Sequence, residues 1–274
     1  MNTATLSDVQ NFMDRITTTP ERTPGRFLVY GDGGLGKTSW AAYSRNPIFA
    51  MSRGETGLET LINSGQISPT PSISLEKWEE SEQFVDWLLN ERHDYGTLVF
   101  DAINGFEHML YEYVCKKDYG GVWTGGKDSF MSWYQGHRHA TTYWSAFFDK
   151  LDELRKKRNM SIILLCHQQV TNYDNPEGAD YHRIIPDMYK DQYHLVKKWC
   201  DAVLHFSFLT ETKEDSRGKV KGLGGQSRVC YTERKAAFDA KNRYGLPSMF
   251  SLGDSAQEGW SNFVNLFKKG KEGK

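Results

Sequence analysis

Residues 26–40, RFLVYGDGGLGKTSW, decide how the rest of the chain is read. A mostly apolar run at 26–30 stops at a glycine, and a glycine-rich turn then leads into a lysine and a threonine. Gly31, Asp32, Gly33, Gly34, Leu35, Gly36, Lys37 and Thr38 match G-x-x-x-x-G-K-[ST] in full, with a strand predicted before them and a helix after. Glycines let successive backbone N–H groups face one concavity where side chains would collide, and the helix N-terminus adds partial positive charge. A loop of this kind holds polyphosphate. Gly31 to Ser39 would wrap it, Lys37 would reach the β- and γ-phosphates, and the Thr38 hydroxyl would coordinate Mg²⁺. ATP and Mg²⁺ are therefore the expected ligands. A chance match in a chain of this length is on the order of 1% from average composition, so an incidental glycine-rich turn is rejected.

Outward from this loop, short apolar runs alternate with helical periods, the pattern of an α/β sheet with crossover helices. Strands are predicted at 26–30, 47–51, 97–101, 160–167 and 202–209, and helices at 37–44, 57–63, 81–92, 104–115 and 141–158. The middle strands lack polar alternation, as strands buried on both faces do. Trp144, Phe147, Phe148, Leu151 and Leu154 form one apolar stripe at helical spacing and read as core. Residues 213–227 read as an exposed turn or mobile loop, 228–232 and 235–241 as a hairpin pair, and 268–274 as a disordered Lys/Gly-rich tail. The resulting division is an N-terminal segment at 1–25, an ATPase core at 26–250, and a C-terminal helix with basic tail at 251–274. Within the first segment, Leu6, Val9, Phe12, Met13 and Ile16 have helical spacing and are expected to pack on the core, with packing on a neighbouring copy as the alternative.

The chain has 274 residues, 25% of them charged, and a formal net charge of −1, so any nucleic-acid footprint must be local rather than global. No apolar run approaches the roughly 18 residues of a bilayer span, and residues 1–18 lack the features of a signal peptide. Cys115, Cys166, Cys200 and Cys230 lie far apart, which speaks against a metal knuckle or a disulfide framework. A cytoplasmic protein without a membrane partner is expected.

The run Thr97-Leu-Val-Phe-Asp101 is an apolar strand ending in an acid, so Asp101 joins Thr38 as the expected Mg²⁺ pair. Ala102 follows, not glutamate. This disfavours the AAA+ and ABC arrangement, in which the water-activating carboxylate sits beside that acid; the base must come from elsewhere.

Together these segments resemble the RecA-like ATPases over most of residues 26–247. The resemblance implies an α/β RecA-like P-loop fold, a mostly parallel central sheet flanked by helices with a C-terminal β-hairpin. In that family the strand after the P-loop helix leads to the catalytic glutamate, which Pro47-Ile-Phe-Ala-Met-Ser-Arg-Gly-Glu55 matches; Glu59, one helical turn on, competes. The buried run ending Cys166-His167-Gln168-Gln169 is similar to the family's sensor strand, with Gln168 as γ-phosphate sensor and His167 as alternative. Lys241 and Arg243, before Pro247, resemble paired cations that act on a neighbouring subunit's phosphates and so imply a homo-oligomer, ring or filament. On a strand, alternate residues point the same way. The competing reading is a pair of surface cations. The Arg243-Tyr-Gly-Leu-Pro247 ending looks most like phage single-strand-annealing ATPases of the Sak-four type, for which the host cytoplasm and a single-strand-binding protein would be the setting and partner. One departure is Ala102 where serine or threonine is usual, so a polar link between Asp101 and the next helix is in doubt.

The same resemblance places single-stranded DNA against the stretches 116–139 and 170–189. The first mixes Lys116, Lys117, Lys127 and Arg138 with Tyr119, Trp123, Phe130, Trp133 and Tyr134. Cations track phosphates while aromatic faces stack on bases. The second also carries Asp174, Glu177, Asp180 and Asp187, which weakens its electrostatic case. Aromatics packed inward are the competing reading for both. The expected function is ATP-dependent single-stranded DNA binding and annealing or strand exchange. The alternatives are a helicase-type motor, a small-molecule P-loop kinase and a nucleotide-gated adaptor.

Overall fold

Strand order explains how residues distant in sequence meet at one edge. The computed structural model describes residues 23–214 and 220–272 together with Ile16 and Thr18, so the predicted helical spacing at 6–16 lies almost wholly outside the described residues. Its strands are β1 (Arg26–Tyr30), β2 (Pro47–Ser52), β3 (Ser72–Leu75), β4 (Thr97–Asp101), β5 (Ser161–Cys166), β6 (Gln168–Tyr173), β7 (Tyr181–Pro186), β8 (Ala202–Glu214), β9 (Val220–Tyr231), β10 (Lys241–Asn242) and β11 (Met249–Ser251). The helices are α1 (Lys37–Ala42), α2 (Gly57–Asn63), α3 (Trp78–Asn90), α4 (Ile103–Asp118), α5 (Gln135–Arg158), α6 (Lys190–Trp199) and α7 (Ala256–Glu272).

The main sheet runs β11-β9-β8-β1-β5-β4-β2-β3, and β3 through β8 along that order are parallel. This is the RecA-like α/β architecture expected from the sequence. β5 lies between the strand that precedes the P-loop and the strand that ends in Asp101, which separates the two by one strand.

Alternate residues of the central strands feed two cores, because side chains on a strand point to opposite faces. Leu28, Ala50, Phe100, Ile162 and Val203 pack with α3, α4 and α5, where Trp78 and Trp144 meet edge to face at 5.0 Å. Val29, Phe49, Val99, Ile163 and Leu204 pack with Trp40 of α1 and Phe263 of α7. Burying rings of this size contributes roughly 1.5–3 kcal/mol each relative to exposure. The stripe from Trp144 to Leu154 is buried, as its spacing implied.

Four sequence expectations are corrected. Residues 220–231 form β9, a long antiparallel partner of β8, where 213–227 read as a turn. The ladder satisfies backbone groups whatever the side chains, so pairing overrides the low strand propensity of a glycine-rich segment. Consequently 228–231 pair with β8 and β11 rather than with 235–241, of which Lys241 alone enters a named strand, β10. The expected loop at 170–189 is mostly the β6–β7 hairpin. The tail expected to be disordered continues α7 as far as Glu272.

Candidate active site

Parallel register brings the C-terminal ends of β1, β2, β4 and β5 together: Tyr30 is level with Cys166, and Met51 with Asp101. Everything that follows those strands projects from one edge, the usual place for a ligand in an open α/β sheet.

The P-loop leaves β1 at Gly31. A Cβ there would lie 2.5 Å from the Phe206 carbonyl oxygen and 2.9 Å from Leu35, so only glycine fits. Gly34 and Gly36 have φ of +78° and +84°, the left-handed region that glycine adopts without strain. Leu35 is buried beneath the loop, Asp32 accepts the Gly33 N–H at 2.8 Å, and the Ser39 hydroxyl donates to the Gly36 carbonyl. Among the described residues, the amides of Gly34, Leu35 and Gly36 find no acceptor within the protein. Gly33 and Gly34 border open space. Orphan amides around an open concavity suit a polyphosphate chain.

Lys37, the first residue of α1, is buried and curls back to donate to the carbonyls of Gly31 and Asp32, both at 2.9 Å. Burial pulls its ammonium below the usual lysine range, against the favourable field of Asp101. An ammonium held only by two carbonyls can exchange them for phosphate oxygens.

The Thr38 hydroxyl donates to Asp101 Oδ2 at 2.7 Å, so the two expected metal-site side chains meet across 63 positions of sequence. Burial raises the Asp101 carboxyl to about 6, while the Thr38 bond opposes that rise. A buried carboxylate next to a hydroxyl is an all-oxygen donor set, which fits Mg²⁺ bound by few protein ligands and completed by phosphate and water. No cluster of three His, Cys, Asp or Glu occurs among the described residues, so a metal caged by protein side chains alone is not built here.

Glu55 follows β2 in the turn before α2. Its Oε1 lies 3.4 Å from His167 Nε2 at the end of β5. This contact holds the Glu55 carboxyl below its ordinary value and the His167 imidazole above its own. The start of α2 borders the metal pair: a Cβ on Gly57 would come within 3.9 Å of Thr38 Oγ1. Glu59 is exposed on α2 and joins no contact in this cluster. Gln168 opens β6 and, among the described residues, makes no side-chain hydrogen bond, so the structure puts His167, not Gln168, on Glu55. Two other polar contacts tie the segment after Asp101 to the neighbouring strands. Ser52 Oγ accepts the Ala102 N–H at 3.2 Å, and Asn104 Oδ1 accepts the His167 N–H at 3.4 Å.

Lys241 and Arg243 reach one spot, but away from this edge. Lys241 Nζ donates to the carbonyls of Lys197 and Cys200 at the end of α6, and Arg243 donates to that of Lys198. β10, which holds Lys241 and ends just before Arg243, pairs with the first residues of β8, at the end of the sheet opposite the P-loop. Within one chain they cannot meet its own phosphates.

The stretch 116–139 is shorter as a loop than expected, since α4 runs to Asp118 and α5 starts at Gln135. Phe130 is fully buried among Tyr111, Tyr119 and Trp123, and a Cβ on Gly136 would strike its ring at 2.3 Å. Phe130 is thus the plug of the loop and no stacking platform, which corrects that expectation. Trp133, by contrast, is 84% exposed, and Tyr134 and Trp123 are partly so. Lys116, Lys127 and Arg138 are exposed, whereas Lys117 donates to the Tyr113 hydroxyl at 2.8 Å and rests on the rings of Tyr113 and Tyr143. Sequence reasoning missed Ser52 and Asn104; single polar residues beside apolar strands or at a helix start carry no motif.

Residues 23–244 match the AAA_24 family, described as an AAA domain. No curated protein matches the chain. Among solved structures, the crystal structure of the RadB recombinase is similar with a TM-score of 0.49 and 12% identity, over 86% of this chain and 90% of that one. Among the described residues, no helix is long and apolar enough to cross a membrane.

Proposed function

The chain belongs to the AAA_24 family of AAA domains, and from that premise we propose that this P-loop ATPase binds single-stranded DNA and couples Mg²⁺-dependent ATP hydrolysis to strand annealing or exchange. The observation that carries the reading is the meeting of Lys37, the Thr38–Asp101 pair and the Glu55–His167 pair at one sheet edge. Mg²⁺, when bound by Thr38 and Asp101, supplies charge that offsets the negative charge building on the phosphates. The orphan amides of the P-loop and Lys37 bind and orient the polyphosphate. Glu55 takes a proton from the attacking water, and His167 holds its carboxylate in place and charged. Gln168 follows His167 directly and opens the β6–β7 hairpin, so a change at the Glu55–His167 contact is passed to that hairpin with no residue between. Family membership does not move the base, because Ala102 follows Asp101.

The exposed Trp133 and Tyr134, flanked by Lys127 and Arg138, support DNA binding; base stacking on aromatic rings contributes roughly 1–3 kcal/mol per base. Lys241 and Arg243 would act on a neighbouring subunit's nucleotide after leaving the α6 carbonyls, which is the ground for hydrolysis at subunit interfaces. The test is ATPase rate with and without single-stranded DNA, with molecular mass measured in each state. Stimulation together with assembly is the expected result. A rate and mass indifferent to DNA would sink the reading.

A further inference from the structure

Arg228 carries a fixed positive charge to the P-loop from β9, a strand that supplies no other group to the site. It is level with Phe208 of β8, at the last pair before the register of that ladder shifts. Irregular pairing of this kind re-aims side chains next to a site. Alternate residues of a strand share a face, so Arg228 follows Cys230 onto the side of the sheet where α1 and α7 pack. There a Cβ on Gly36 would stand 2.8 Å from Arg228 Nη1, and the guanidinium rests against the loop beside one of its orphan amides.

The turn between β11 and α7 holds this side chain in place. Nη2 donates to the Gly253 carbonyl at 3.2 Å, and the Arg228 carbonyl accepts the Leu252 N–H at 2.9 Å. Gly253 has a φ of +66°, and a Cβ there would strike Glu258 at 2.3 Å, so the turn requires glycine. A guanidinium is a rigid fork of five donors matched to phosphate oxygens, and the Gly253 bond uses only one of them. Among the described residues, Nη1 and Nε find no acceptor and Arg228 joins no carboxylate. Neither nitrogen is a sealed orphan, and the side chain is part-exposed, so an incoming anion has access.

Position along the sheet selects which phosphate this is. The Thr38–Asp101 and Glu55–His167 pairs mark the terminal phosphate on the β5–β4–β2 side of β1, whereas β8 and β9 lie on its other side. Lys37 reaches the terminal phosphates, while the amides of such a loop cradle those nearer the nucleoside. A chain gripped at its γ end by Lys37 and the metal pair therefore runs its α-phosphate toward Gly36 and Arg228. We propose that Arg228 is a nucleotide-binding residue of this site, donating from Nη1 and Nε to the α-phosphate of a nucleoside di- or triphosphate held in the P-loop of the same chain. The assignment rests on the P-loop reading above and deepens it.

The test is calorimetric titration of the full chain, in Mg²⁺, with ADP and with the Rp and Sp diastereomers of ADPαS, in which sulfur replaces one α-phosphate oxygen. Sulfur accepts hydrogen bonds poorly, so a fixed fork on one oxygen tells the diastereomers apart. Arg228→Gln should weaken ADP at least tenfold and level the parent's preference between the two. It should also raise the KM for ATP by more than it lowers kcat, because the α-phosphate does not react. Arg228→Lys keeps the charge without the fork and should fall between parent and Arg228→Gln. It carries the test should circular dichroism show Arg228→Gln misfolded. Unchanged ADP affinity in the variants, a parent blind to the diastereomers, or a preference that survives the substitutions undiminished overturns the assignment and leaves the P-loop reading intact. So does a lowered kcat at unchanged KM, which would make Arg228 a support for the loop alone. If the parent takes up neither ADP nor ATP, the P-loop reading itself falls and Arg228 with it.

Discussion

Lys37 and Lys117 show how differently one residue type is used at the sheet edge and at the loop beside it. Lys37 is buried, its ammonium made less basic by desolvation and held by two carbonyls of its own loop. Lys117 is at the surface, resting on two tyrosine rings, and the Tyr113 hydroxyl raises its basicity. The edge gathers groups from four strands into one constellation. The loop gathers aromatics, turns one of them into a plug and leaves Trp133 outside. The edge is organised for chemistry on a small charged ligand, the loop for contact.

The sharpest way to break this contrast is at Glu55. Glu55→Gln keeps the side-chain shape and should lower kcat roughly 10²–10⁴-fold with ATP affinity retained, measured by phosphate release and nucleotide binding. An unchanged kcat would move the base elsewhere, with Glu59 next to be tested. Lys37→Ala should lower turnover about 10²–10³-fold and weaken ATP binding as well; parent affinity in that variant would refute the phosphate assignment. On the loop side, Trp123→Ala with Trp133→Ala should weaken single-strand affinity by about 1–3 kcal/mol per stack lost and leave DNA-free ATPase intact. Unchanged affinity and salt slope would reduce the loop to a scaffold.

The smallest effect concerns Glu107, which lies between the two regions. Its folded carboxyl is raised by burial from 4.5 to about 8, so between those values the folded state holds a proton that the unfolded state releases. Stability contributed this way is present at low pH and is lost as pH rises toward 8. Glu107→Gln cannot ionise, so its Tm should exceed the parent's at alkaline pH, by about 2–4 °C for each kcal/mol the ionised carboxylate costs, and the gap should close near pH 5. A gap that stays constant with pH would show that the carboxyl is not the cause.

Legibility followed the same division. The P-loop could be read directly because its chemistry is local: eight consecutive residues supply the turn, the lysine and the hydroxyl. The buried strands were legible from their apolar runs. By contrast β3, reading Ser-Ile-Ser-Leu, and β6, reading Gln-Gln-Val-Thr-Asn-Tyr, show little apolar pattern and exist because a neighbour offers a ladder. β9 was hidden by its glycines for the same reason. In the loop, Phe130 and Trp133 are indistinguishable as aromatic residues between glycines. Which one is buried depends on Tyr111, Tyr119 and Gly136 around it.

By itself the sequence determined a phosphate loop, an acid at the end of a buried strand and an alternating α/β order, since each of these rests on neighbouring residues and their periodicity. Only the tertiary structure decided that Thr38 touches Asp101, that Glu55 meets His167 rather than Gln168, and that Lys241 caps α6. Those contacts depend on strand order and register, which bring side chains together across more than a hundred residues. Local chemical pattern carries no such long-range geometry.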